Sequence, residues 1–231
     1  MKKKLVVLTG AGMSAESGIA TFRDSDGLWN RYRVEDVATP EAFRRDPKLV
    51  LEFYNYRRRE LLKTFPNAGH EGLAALEKDF DVEIITQNID NLHERAGSSR
   101  VLHLHGELMK ACTMEDFHTT YDLPPENPDI HLGDRDAKGH QLRPFVVWFG
   151  EPVPMIEPAI SLTQQADIFV VIGTSLNVYP AAGLLSYAPS GIPVYLIDPK
   201  EVATHRKDIQ VIRSGASEGV RQLTTLLQQY V

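Results

Sequence analysis

The residues of this chain that could do chemistry fall at the ends of short apolar runs. In "LHLHGE", His105 ends one such run just before Gly106. An imidazole, with an unperturbed pKa near 6.5, is the natural base at neutral pH beside a ligand crevice. Most lone histidines at strand ends are structural, and His103, earlier on the same face, is read that way. In "TQNIDNLHERAG", Gln87, Asn88 and Asp90 place two amides and a carboxylate within four residues. That set can hydrogen-bond a polar ligand such as ribose hydroxyls or a carboxamide. It can also cap a helix beginning near Asp90 through an Asx-type turn, and by itself the pattern favours the turn slightly.

In "VVLTGAGMSAESGIATFR", a buried strand runs into Gly10-Ala11-Gly12, and a helix is predicted to start near Ser14. Small residues at a strand end let backbone N–H groups approach a phosphate. The spacing is not the GxGxxG fingerprint, because Gly18 lies six residues beyond Gly12, and the glycines alone also describe a tight turn. Gly173-Thr174-Ser175 offers backbone and hydroxyl donors at another run end. Asp198 ends the last run, where an acidic side chain commonly accepts from an adenosine ribose. One such feature is weak; several in order along one rim are not.

A different pattern appears in "LVLEFYNYRRREL". Val50, Tyr54, Arg57 and Leu61 fall at i, i+4, i+7 and i+11 and form one helical stripe. Arg57 reads plainly as a snorkelling side chain over apolar neighbours. Three residues from a tyrosine hydroxyl, it also makes a good carboxylate fork. Arg58 and Arg59 read as a solvated face.

The elements that must carry these groups are legible too. Apolar, β-branched runs occur at Leu5–Leu8, Val82–Thr86, Val101–Leu104, Phe145–Phe149, Asp167–Gly173 and Val194–Ile197. Continuous hydrophobicity suits strands buried on both faces of a parallel sheet. Helical patterns alternate with them, including "PEAFRRDPKLVLEFYNYRRRELL", broken at Pro47, and a terminal stripe of Val220, Leu223, Leu227 and Tyr230. The fold class is α/β, a Rossmann-like doubly wound parallel sheet with a smaller helical and loop module inserted. One domain spans 1–231, its Rossmann-like part about 1–35, 80–111 and 144–231 and its small module 36–79 and 112–143.

Composition excludes other classes. A net charge of −6 over 231 residues argues against nucleic acid as a partner. The single cysteine, Cys112, rules out an intrachain disulfide. The opening Lys-Lys-Lys and "LVVL" are too short for a signal peptide, and no run reaches the ~18 to 20 apolar residues of a membrane span. A cytoplasmic protein with no membrane partner is expected.

Taken together, "GAGMSAESGIATFR", "TQNID", "LHG", "RPFVVWFGE" and "GTSLNVYPAA" resemble the sirtuin family of NAD-dependent protein-lysine deacylases over nearly the whole chain. The resemblance implies that Gly10, Ala11, Gly12, Ala15, Glu16, Phe22 and Arg23 line the dinucleotide site. It implies Gln87 at the nicotinamide ribose and Asn88 and Asp90 at the nicotinamide pocket. Gly173, Thr174, Ser175 and Asp198 would hold the adenosine half, with Ala216 near the adenine. His105 would be the general base as the acyl group moves from lysine to the ADP-ribose part of NAD, releasing nicotinamide and O-acyl-ADP-ribose. Phe22 would shield the reacting centre. The segment Val147–Glu151, with Val147, Phe149 and Gly150 as its substrate-binding residues, and Leu176–Tyr179 would clamp an extended peptide by strand addition. Aspartate at 198 would disfavour a 2′-phosphate, so NAD is the expected cofactor rather than NADP.

Tyr54 and Arg57 are similar to the pair that the desuccinylase- and demalonylase-like class places in its acyl pocket, which implies succinyl- or malonyl-lysine, with acetyl-lysine also possible. The partners would be acyl-lysine proteins or peptides, and the chain a monomer. One departure stands out. Most members carry paired CxxC motifs for zinc, whereas here Cys112 is followed by Glu115, and Arg135 and Lys138 occupy the second pair's place. His118, His131 and His140 match no zinc spacing, so no metal site is expected. Two alternatives share the nucleotide site: a mono-ADP-ribosyltransferase and a non-catalytic NAD or ADP-ribose module.

Overall fold

The computed structural model describes residues 2–19, 32–204 and 206–231. β1 (Lys4–Thr9) and α1 (Ala11–Ala15) come first, followed by α2 (Val34–Val37), α3 (Pro40–Arg45), α4 (Pro47–Leu61) and α5 (Ala68–Leu76). Next are β2 (Asp81–Thr86), α6 (Leu92–Arg95), β3 (Val101–His103), β4 (Gly106–Thr113), β5 (Tyr121–Asp122) and β6 (Leu142–Val146). The chain continues through α7 (Ile156–Gln164), β7 (Ile168–Ile172), β8 (Val194–Ile197), β9 (Ile209–Ile212) and α8 (Ala216–Leu227).

The main sheet is parallel, in the order β3-β2-β1-β7-β8-β9. From β1 the chain builds outward to β2 and β3 on one side, then returns beside β1 as β7 and builds outward to β9 on the other. The order therefore reverses between β1 and β7, where open α/β sheets form a ligand crevice. Register levels that crevice. Thr9 pairs with both Thr86 and Ile172, and Ile172 pairs with Ile197. The next residues, Gly10, Gln87, Gly173 and Asp198, leave the sheet together.

Strand alternation explains the two sheet faces. Leu5 and Val7 pack with Leu73 and Leu76 of α5 and Val220, Leu223 and Leu227 of α8. Val6, Leu8 and Phe169 pack on the other side with Ala159 of α7 and Leu184. A second core joins α2, α3 and α4 to β4 and β6 through Val50, Phe53, Leu108, Ala111 and Trp148. Residues 36–79 thus divide between the cores, since α5 packs on the sheet. Pro47 separates α3 from α4 as the first residue of the new helix, with Asp46 capping Leu49 N–H at 3.0 Å.

Three expectations need correction. The run at 145–149 is not a strand of the parallel sheet. β6 ends at Val146 and pairs antiparallel with β4 in a small sheet ordered β5-β4-β6. Its apolar residues serve the second core, which a run of buried residues does not distinguish from the first. The first helix begins at Ala11 rather than near Ser14. Arg58 is no solvated residue: it is 0% exposed, donating to Leu108 O and to Asn55 Oδ1. Arg59, by contrast, is a partly exposed ion-pair partner of Asp129.

Candidate functional site

The strand-end residues surround a cavity of about 1010 Å³. Gly10, Ala11, Gly12, Ala15, Glu16, Gln87, Asn88, Asp90, Gly173, Thr174, Ser175 and Asp198 all line it. Ala216 does not; it is buried at the start of α8, and Gly215 meets the cavity instead. Phe22 and Arg23 lie outside the described residues. The glycines permit two turns to touch. A Cβ on Gly10 would stand 2.7 Å from Thr174 Cβ, and one on Gly12 would stand 2.7 Å from Gly173 Cα. Gly173 itself has a φ of 61°, a left-handed conformation that favours glycine.

Behind this backbone lies a polar network. Asn88 Nδ2 donates to Gly10 O and to Ser14 Oγ, each at 3.1 Å. Ser14 Oγ donates to Asp90 Oδ2 at 2.9 Å, and Leu92 N–H donates to Asp90 Oδ1 at 3.1 Å. The Asx turn and the ligand-facing position therefore coexist at Asp90. Burial pushes its carboxyl above the usual carboxylate range, against the lowering effect of those bonds. Gln87 Nε2 donates to Thr174 Oγ1 at 3.0 Å, bridging two strand ends. Donors, acceptors and close backbone at one switch point suit a nucleotide's ribose, carboxamide and phosphate groups.

The two histidines separate by their partners. His103 Nδ1 lies 3.0 Å from Asn88 O and its Nε2 lies 2.7 Å from Glu94. Both partners only accept, so both ring nitrogens donate; burial opposes this cation, but Glu94 outweighs it and the pKa rises. His105 Nδ1 lies 2.9 Å from Gln87 O, which also only accepts. The Nδ1 therefore carries the hydrogen and the neutral ring keeps its lone pair on Nε2. Burial lowers the His105 pKa, partly offset by the Gln87 carbonyl. His105 lines the cavity.

One end of the cavity is built differently. Tyr54 and Arg57 of α4 reach it, as do Val147, Phe149 and Gly150 after β6. Tyr54 is buried, and its hydroxyl accepts from Trp148 Nε1 at 3.0 Å. Arg57 lies over the Tyr54 ring at 5.7 Å, and burial lowers its pKa against the pull of Tyr54 and Asp90. The N–H groups of Val147 and Phe149 are already bonded to His105 O and Ala38 O. Strand addition there would have to use carbonyls or Gly150.

Ser14 carries no site role in the sequence, and Trp148 enters there only as part of the Val147–Glu151 clamp segment. Nothing in the sequence pairs Trp148 with Tyr54. Among the described residues no His, Cys, Asp or Glu grouping fits a metal ion. Cys112 is buried in β4, its thiol pushed up to about 12 by burial. His140 pairs with Asp136 at 3.1 Å. No described helix is long and apolar enough to cross a membrane.

Comparison with known proteins agrees with this geometry. A family model described as the Sir2 family matches residues 10–180. An NAD-dependent protein deacylase of Bacteroides thetaiotaomicron is 62% identical, with 97% of this chain and 98% of that protein covered. A solved Sir2 homologue mutant–ADP ribose complex superposes with a TM-score of 0.90 at 39% identity, covering 99% of this chain and 93% of that one. A Sir2–p53 peptide–NAD+ structure gives a TM-score of 0.76 at 30% identity, covering 99% and 95%.

Proposed function

We propose, for a chain that belongs to the Sir2 family and is an NAD-dependent protein deacylase, that its acyl pocket prefers lysine carrying a short dicarboxylic acyl group, succinyl or malonyl. The observation that carries the preference is Arg57 in the wall of the cavity that also holds His105, one helical turn from the buried Tyr54 hydroxyl. Burial has weakened the solvation of its guanidinium, which remains a cation, so an acyl carboxylate brought to it gains a charge-assisted bond. An acetyl group offers no such charge.

NAD supplies an electrophilic sugar carbon with nicotinamide as leaving group. The side chains do the rest. Asp198 accepts from a ribose hydroxyl, and the buried Asn88–Ser14–Asp90 network presents polar groups to the carboxamide. His105 Nε2 takes the proton of a hydroxyl as it attacks the acyl carbon, a contribution of about 100- to 10,000-fold in rate. The partner is an acyl-lysine peptide or protein entering beside Val147, Phe149 and Gly150.

Matched acetyl-, malonyl- and succinyl-lysine peptides incubated with NAD and followed by mass spectrometry test this reading. Nicotinamide without deacylated peptide would sink it. For Arg57→Met we expect succinyl turnover to fall about 10- to 100-fold, the size of a charge-assisted bond, with little change on acetyl-lysine. Equal losses on both substrates would make Arg57 a structural arginine.

A further inference from the structure

Trp148 is 2% exposed, and its ring is held from several sides. The Arg143 guanidinium lies 3.4 Å from the ring centroid, and Phe43 packs at 5.4 Å. Arg143 in turn forks onto Glu151 at 2.6 and 3.0 Å, and Glu151 Oε2 accepts the Trp148 backbone N–H at 2.7 Å. The indole is thus clamped by charge beneath and backbone beside it. Its one polar atom, Nε1, meets Tyr54 Oη at 3.0 Å.

The direction of that bond matters. An indole N–H only donates, so the tyrosine oxygen must accept, and its own hydrogen is left to donate elsewhere. No described residue takes that hydrogen. A cation stacked on the indole also draws electron density from the ring and strengthens its N–H as a donor.

We propose that Trp148 is a positioning residue for acyl selectivity, fixing the Tyr54 hydroxyl as a hydrogen-bond donor aimed at the acyl carboxylate beside Arg57. Arg143 and Glu151 hold the indole in register for that task. The proposal rests on the dicarboxylic acyl reading and deepens it. Without the indole N–H, the phenol is free to turn its hydrogen away from the carboxylate.

The test is Trp148→Phe, which keeps a ring over Arg143 and against Phe43 but removes the N–H. The readout is the ratio of succinyl to acetyl kcat/KM, which cancels any loss that both substrates share. We expect this ratio to fall about five-fold, the size of one neutral hydrogen bond, mainly through a higher KM for succinyl peptide. In a Tyr54→Phe background the same change should leave the ratio where Tyr54→Phe alone puts it, because the residue acts through the hydroxyl. An unchanged ratio in W148F, or additive effects in the double variant, would overturn the proposal. If the unaltered protein shows no succinyl preference at all, the acyl reading fails first, and the two failures are distinguishable.

Discussion

The two ends of the cavity are made by different means. At the nucleotide end, four strands stop at one register level, and the residue after each, Gly10, Gln87, Gly173 or Asp198, enters the cavity. Position there is set by the sheet, and close backbone approach depends on the absence of side chains at Gly10 and Gly12. At the proposed acyl end, Tyr54 of α4 and Trp148 after β6 are packed in the second core, and Arg57 of α4 lies over the Phe53 and Tyr54 rings. Position there is set by side-chain packing. The first end thus depends on backbone and register, the second on side chains that can be exchanged without altering the parallel sheet.

The largest effect should come where the ends meet. His105→Ala is expected to lower turnover by about 100- to 10,000-fold on acetyl and succinyl peptides alike, with the melting temperature little changed. A loss confined to one acyl group would break the division. Gly12→Ala attacks the nucleotide end alone, because the new Cβ would press on backbone at Gly173. Overpacking of that kind costs roughly 1–3 kcal/mol of stability, and the KM for NAD should rise about tenfold with the acyl ratio unchanged. Steady-state titration of NAD against each peptide checks this.

Acid should also weaken the nucleotide end. His70 Nδ1 accepts from Asn67 N–H in the cap of α5, and Asn67 Nδ2 donates to Met13 O and Ser17 Oγ beside α1. Burial lowers the His70 pKa to about 4 from 6.5, despite the nearby Glu94 and Glu16. Between those values the unfolded chain binds more protons than the folded one. The stability that a neutral His70 contributes is therefore full above pH 6.5 and is lost as the pH falls toward 4, by about 3 kcal/mol for this group. His93, whose ring centroid lies 4.8 Å from that of His70, is lowered by burial too and adds to the same loss. Urea melts at pH 7 and pH 4.5 should therefore show a difference that His70→Gln reduces but does not abolish.

A smaller effect separates two adjacent arginines. Arg58→Met removes the side-chain donor to Leu108 O and one of the two donors to Asn55 Oδ1, which keeps the Ile130 N–H, at a cost of about 1–3 kcal/mol in stability. The succinyl-to-acetyl ratio should stay put in R58M and collapse in R57M. Denaturant melts and paired peptide assays distinguish them.

The same contrast explains what was legible in the sequence. Apolar runs located β1, β2, β7 and β8, and polar residues at their ends pointed to the crevice, because a parallel sheet converts order along the chain into position. The run at 145–149 was assigned to the wrong sheet, since hydrophobicity reports burial and not which core does the burying. Arg58 was misjudged for a related reason. A charge in a helix reads as solvated, yet α4 is covered by β4 on one side and meets Ile130 through Asn55 on another. The bond from Trp148 to Tyr54 is not legible because the two residues are 94 positions apart. Side-chain pairing across such a distance leaves no local signal.

The central claim is that the acyl end reads a carboxylate. It is tested most directly by the kcat/KM of the unaltered protein on succinyl- and acetyl-lysine versions of one peptide at saturating NAD. The account predicts a succinyl value at least about tenfold higher, the least that one charge-assisted bond provides. An acetyl value equal to or above it would contradict the account.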